Sequence, residues 1–290
     1  MDFNRALGAF QVARRLGCRS MHIGGGEPFL RFEALMHCCE AAKEAGVTIE
    51  YIETNSSWYR GLEEAADMLR QLKHAGVTTL LVSISPFHNE FIPFDRVQGV
   101  MEACRVSGLR VMPWIREFVS ECSALDTSKP HGMKEYEEAF GSGYLNSIPG
   151  RYWTIYRGRA LYTYSHLLHP IDLKEICDNS QQGCRELSDT SHFHMDLYGN
   201  YIPGLCSGLA IELKDLGNPL SPEKYPLICR LYEHGPGALL DLAKDFGFKA
   251  KPAYVSKCHL CQEIRAFLVH KAKEKFLELS PHWFYRDIPI

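Results

Sequence analysis

The sequence predicts an α/β fold built on a parallel sheet, and three observations carry that expectation. Glycines recur at a near-regular interval in the first third, at Gly17, Gly46, Gly76 and Gly108. Each closes a stretch with an apolar stripe on one helical face, and each is followed within a few residues by a β-rich run. Strands alternating with helices imply a parallel sheet covered by helices and wound in one hand, either open or closed into a barrel.

The elements follow in order. A first helix carries Ala6, Ala9, Phe10 and Ala13 on one face, and the run Met21 to Ile23 reads as a strand. Phe32, Leu35, Met36 and Cys39 mark the next helix, followed by a strand from Ile49 to Glu53. Leu62, Ala65, Ala66 and Leu69 mark a third, before the strand Thr79 to Ser85. Val97, Val100, Met101 and Cys104 mark a fourth, before Arg110 to Ile115. The spacing i, i+3, i+4, i+7 in each stripe is that of a helix with one buried face. Because the chain opens on a helix, the first unit lacks a strand of its own, which implies a missing front segment or a fold that has dispensed with it.

After Phe118 the regularity fades. A helix is expected over Met133 to Phe140 and an aromatic β-like run over Tyr152 to Tyr164, with a soft boundary near His166 to Pro170. This divides the chain into residues 1–165 and a small cysteine-rich α+β domain, 166–290. In the latter, Phe193 to Leu197 and Tyr201 to Leu205 flank Tyr198-Gly199-Asn200 as a hairpin, since Gly and Asn tolerate positive φ. A terminal helix is expected from Cys261 to Leu279.

Composition narrows the function classes. The 290 residues are 46% hydrophobic and 23% charged, enough apolar surface for a sizeable core. With 32 basic against 35 acidic residues, the net charge of -3 does not suit a nucleic-acid partner. No apolar run approaches the roughly 18 residues of a membrane span, and Met1 to Gly17 has no signal-peptide pattern, so a cytoplasmic location without a membrane partner is expected. Eleven cysteines, an odd number without an export signal, argue for buried thiols plus some metal ligands rather than a disulfide framework.

Two motifs carry chemistry. Ile23-Gly24-Gly25-Gly26-Glu27-Pro28 closes the first predicted strand, where ligands gather in parallel α/β folds. The glycines lead into a carboxylate rather than a lysine, so the loop suits a cationic ligand better than a phosphate, or else is a tight turn with Glu27 starting a helix. In the second half, Cys258-His259-Leu260-Cys261 is a CxxC, which lets two thiolates from one turn meet one metal centre, and Cys184 and Cys206 would complete a four-thiolate site. Zinc fits four thiolates as well as an iron–sulfur cluster does. Cys177 is a spare candidate. Cys18, Cys38, Cys39 and Cys104 read as core residues, and Cys122 and Cys229 as structural ones.

Gly25-Gly26-Glu27-Pro28, Thr54-Asn55 closing the next strand and Val82-Ser83-Ile84-Ser85 ending the one after it resemble the radical S-adenosylmethionine superfamily, over roughly Met1 to Ile115. The resemblance implies a partial (β/α)6 TIM-like barrel missing its first strand. It implies that Gly25, Gly26 and Glu27 hold the amino group of the cofactor's methionine, Ser83 and Ser85 the ribose side, and Asn55 a further contact, unless Asn55 is a turn residue. The second half is similar to the cysteine-rich SPASM or shortened twitch extensions of these enzymes, which implies one auxiliary [4Fe-4S] cluster at Cys184, Cys206, Cys258 and Cys261. The family's CxxxCxxC loop, ligand to the cluster that donates an electron to S-adenosylmethionine, is absent. Its place coincides with the missing strand, so an N-terminally truncated or degenerate chain is implied, and the 290-residue product is expected not to cleave the cofactor. Complete enzymes of this kind abstract a substrate hydrogen after reductive cleavage. They draw on a reductant such as flavodoxin or ferredoxin, and those with such extensions often modify peptides.

His88, Glu90 and Arg116 follow strand ends and are candidates for substrate contact. His192, His194 and Asp196 alternate along a strand and line either a pocket or a polar outer face. Two other classes stay open. One is a non-catalytic binding or scaffold protein with a four-cysteine zinc or iron–sulfur site. The other is an α/β methyltransferase, which gives the cysteine-rich half no role.

Overall fold

The computed structural model of the chain describes residues 2–151, 154–204, 206–286 and 288. It divides into two compact units, Met1–Tyr152 and Trp153–Ile290.

In the first unit, helices and strands alternate as the apolar stripes require. Helix α1 (Phe3–Arg15) starts where the Asp2 carboxylate accepts the Arg5 N–H at 2.9 Å, and it buries Ala6, Ala9, Phe10 and Ala13. There follow β1 (Ser20–Ile23), α2 (Phe32–Ala45), β2 (Thr48–Thr54), α3 (Leu62–His74), β3 (Thr79–Ser83), the short α4 (Pro86–Asn89), α5 (Phe94–Ser107) and β4 (Arg110–Trp114). Gly46 and Gly108 end α2 and α5 with φ of 70° and 69°, a conformation that costs glycine little and other residues more.

The four strands form one parallel sheet in the order β1-β2-β3-β4, so each crossover leads to the adjacent strand in the same direction. Its spine is Ile52, Leu80, Leu81 and Val82, all buried, whereas Met112 and Trp114 on β4 are 40% and 51% exposed. Strand β3 stops two residues short of the expected Ser85 because Ser85 is instead the N-cap of α4, with Pro86 at its first position. Helices α6 (Glu117–Ala124), α7 (Met133–Phe140) and α8 (Tyr144–Ser147) complete the unit.

The second unit begins before the expected division at 165/166. Tyr152 and Trp153 lie outside the described residues. The rest of the run expected to be β-like holds helix α9 (Gly158–Tyr164), which buries Leu161 and Tyr164. The backbone N–H of Gly158 donates to Gln262 Oε1 at 2.9 Å, and Gln262 Nε2 donates to the Tyr162 hydroxyl at 3.2 Å. Residues 154–165 are thereby tied to the C-terminal half.

Next come β5 (Ile171–Asp172), α10 (Leu173–Asp178), β6 (His194–Met195), β7 (Asn200–Ile202), β8 (Ile211–Glu212), α11 (Pro226–Lys244), β9 (Ala253–Tyr254) and α12 (Lys257–Ala272). β5 pairs with β9, and β6-β7-β8 form an antiparallel sheet. The expected hairpin is β6–β7, with Gly199 at φ 85°; Leu205 lies outside the described residues. The sequence reading places no helix at α11, because Gly235 (φ 72°) and Pro236 break its period in the middle. Helix α12 begins four residues before the expected Cys261, since the Ser256 hydroxyl accepts the His259 N–H at 3.1 Å, and it ends at Ala272 rather than Leu279. Leu227, Leu231 and Leu239 of α11 and Leu260, Ile264 and Leu268 of α12 belong to one buried apolar core.

Candidate functional site

The glycine-rich loop leaves β1 through Gly25 and Gly26, at φ 79° and 55°. Glu27 after it is half-buried and turned inward. Its carboxylate accepts the Phe29 N–H at 3.2 Å, the Thr54 hydroxyl at 3.0 Å and the Asn55 N–H at 2.7 Å. Burial raises its pKa above the ordinary carboxylate value, opposed by those hydrogen bonds. The Thr54 hydroxyl in turn accepts Trp58 Nε1–H at 2.8 Å and the Ser56 N–H at 3.0 Å, and the Trp58 ring stacks on Phe29 at 4.2 Å. Glu27 therefore ties the ends of β1 and β2 together, both its oxygens accepting from the chain's own donors. The Asn55 side chain accepts the Ser57 N–H at 2.9 Å, the geometry of an Asx turn.

Ser83 ends β3. The Ser85 hydroxyl accepts the His88 N–H at 3.3 Å and lies 2.8 Å from His88 Nδ1. Ser83, Ser85, His88, Asn89 and Cys122 line a cavity of about 190 Å³. Cys122 is buried and accepts the Tyr136 hydroxyl, so it is part of a packed polar cluster. Glu90 and Arg116 are exposed. Of the other early cysteines, Cys39 and Cys104 are buried as expected, whereas Cys18 and Cys38 are partly exposed.

In the second unit, Cys184, Cys206, Cys258 and Cys261 line one partly open cavity of about 450 Å³. The positions come from three separate segments. Cys184 is anchored on α11, its N–H donating to the Leu231 carbonyl at 2.7 Å. Cys206 follows β7, and its N–H donates to the Pro203 carbonyl at 3.0 Å. Cys258 and Cys261 stand in the first turns of α12, where the helix dipole favours a thiolate. Cys177 packs against Gly237 of α11 and is not part of the lining.

Three cations that the sequence reading did not single out stand in the same lining: Arg157, Lys257 and Arg265. Arg157 Nη1 lies 3.8 Å from the Cys206 sulfur. Lys257 pairs with Glu186 at 2.6 Å, and Cys184 Sγ lies 3.2 Å from the same carboxylate. Burial would raise Glu186, but Lys257 and the neighbouring donors hold it down at about 2. Burial pushes the Cys261 thiol up to about 11 against the opposing pull of Arg265, and it raises Cys206 and Cys184 as well. A cation bound by these cysteines would take them as thiolates and release their protons.

Among the described residues no three His, Cys, Asp or Glu side chains converge tightly enough to hold a single metal ion. His259, inside the CxxC, is committed elsewhere: Nε2 lies 3.0 Å from Glu263. The expectation for His192, His194 and Asp196 divides. The histidine rings meet 4.9 Å apart on an exposed face, whereas the Asp196 carboxylate accepts the Tyr198 and Asn200 N–H groups, both at 2.9 Å, and so builds the hairpin turn. Among the described residues no helix is long and apolar enough to cross a membrane. No protein-family model matches this chain, and no curated protein matches it.

Proposed function

We propose that this chain is a radical S-adenosylmethionine-type protein in which Cys184, Cys206, Cys258 and Cys261 hold an auxiliary [4Fe-4S] cluster and the ends of β1, β2 and β3 receive the cofactor. One observation carries the reading: three chain segments bring four thiols to one cavity that also holds two arginines. The donor set fits the group, since four thiolates can ligate a cluster. Single-ion zinc needs its sulfurs about 2.3 Å from one point. Such a cluster supplies one-electron chemistry when bound.

Support for a partial barrel comes from the strand order, which runs in sequence without reversal. Ser83 is the last residue of β3, and Asn55 and Ser85 follow the C-terminal ends of β2 and β3, the end of the sheet where a ligand of such a fold would sit. With both Glu27 oxygens engaged by the chain's own donors, the exposed glycine backbone at Gly25 and Gly26 would share with the carboxylate the contact to the cofactor's ammonium group. Free thiols at every cysteine suit a reducing, cytoplasmic compartment.

Anaerobic reconstitution with ferrous iron and sulfide, followed by iron, sulfide and zinc analysis, tests the reading. About four irons per chain with matching sulfide are expected, lost in C258S and C206S. Zinc without sulfide overturns it in favour of a scaffold with a structural metal, a reading that the framework role of the Glu27 carboxylate also suits. Equilibrium dialysis of S-adenosylmethionine checks the first unit: binding is expected, and it is expected to weaken in G25V, where φ is positive.

A further inference from the structure

Arg265 is 6% exposed, and no carboxylate pairs with it among the described residues. Its Nη1 donates to the Ser207 carbonyl at 2.9 Å and to the Tyr285 hydroxyl at 3.0 Å, and that hydroxyl donates to the Gly208 carbonyl at 2.6 Å. These acceptors are neutral. Arg265 Nε is buried with no partner, on a side chain that lines the four-thiol cavity. A guanidinium does not lose its charge in a protein, so a buried one without an anion is costly unless something supplies the missing charge. Thiolates committed to a metal group in the same cavity would supply it.

We infer that Arg265 is the resident counter-cation of the thiolate site, its Nε donating to a sulfur of the bound group and its charge favouring the more reduced, more negative state. The inference rests on the cluster reading above. Arg265 is a positioning residue that acts through the cysteine ligands, and second-sphere donors of this kind raise a cluster's reduction potential. Its neighbours give it one orientation: Gly208 has φ 86°, and a Cβ there would stand 2.5 Å from the Tyr285 hydroxyl, so the loop after Cys206 accepts only glycine beside the Tyr285–Arg265 pair.

The test compares the full chain with R265M and R265K, each melted with and without anaerobic loading and each titrated with dithionite under EPR. R265M removes the charge at similar volume. Its metal-free form is expected to melt no lower than the metal-free wild type, and its gain in melting temperature on loading to be smaller. Its midpoint potential is expected to shift to a more negative value. R265K keeps a charge but cannot reach Ser207, Tyr285 and a sulfur together, so its midpoint is expected to shift the same way by less, and it decides the matter should R265M not fold. Variants that load, melt and titrate like the wild type overturn the role of Arg265 alone. A wild type that takes up neither iron nor sulfide, or only zinc, overturns the cluster reading and this inference with it.

Discussion

The Glu27 carboxylate accepts the backbone N–H of Asn55 at 2.7 Å, so the acidic end of the glycine loop is a clasp between two neighbouring strand ends. The same carboxylate starts the turn at Phe29 and holds the Thr54 hydroxyl, on which the Trp58 indole depends. The loop that the sequence offers as a ligand site is first a piece of framework, and its glycines are the part left exposed.

Thr54→Val tests the clasp. It leaves the Trp58 indole N–H and the Ser56 N–H without their acceptor, at a cost of about 2–4 kcal/mol. Glu27→Gln keeps one acceptor oxygen and is expected to cost less, about 1–2 kcal/mol. Denaturant melts measure both, and a larger loss in Glu27→Gln than in Thr54→Val would show that the carboxylate and not the hydroxyl is the centre of the cluster.

Gly183 places Cys184. At φ 83°, a Cβ there would stand 2.0 Å from the Tyr232 carbonyl oxygen of α11, so Gly183→Ala must move the segment that carries the thiol. Iron uptake is expected to fall as far as in C184S. Gly247→Ala is the control, since its φ is also positive but its Cβ would meet nothing within 4 Å; it is expected to cost about 1–2 kcal/mol while loading normally.

His259 lies between the two cysteines of the CxxC yet serves Glu263, which also pairs with Lys251. His259→Ala is therefore expected to retain the full iron and sulfide content while losing about 1–2 kcal/mol of stability. Metal analysis separates this from a ligand role, in which iron would be lost.

Glu278 is fully buried. One oxygen accepts the Leu227 N–H at 2.7 Å at the start of α11, and the other has no partner. Burial raises its pKa in the folded state above the ordinary glutamate value of 4.5. The folded protein thus binds this proton more tightly than the unfolded chain, and the resulting stability is full below the ordinary value and lost as pH rises through the raised one. Glu278→Gln cannot titrate and keeps an acceptor for Leu227, so its stability is expected to fall less from about pH 5 to about pH 8 than that of the wild type. Parallel slopes in denaturant titrations at the two pH values would refute this.

By itself the sequence determined the alternating helices and strands of the first unit and grouped the four cysteines that line one cavity. Those features are written locally, in apolar stripes such as Ala6, Ala9, Phe10 and Ala13, in helix-ending glycines such as Gly46, and in the spacing of Cys258 and Cys261. Local breaks also hid things: Gly235 and Pro236 interrupt α11, and the aromatic run before Tyr164 resembles a strand while α9 coils within it. Only the tertiary structure decided that Glu27 turns inward and that Arg157, Lys257 and Arg265 gather around the thiols. An arginine next to a cysteine in space carries no mark of it in the chain, because Arg265 meets Ser207 and Gln262 meets Gly158 across long loops closed by the packing of apolar faces elsewhere. Periodicity fixes which face of a helix is buried, and what stands beside the remaining charges is settled when those faces come together.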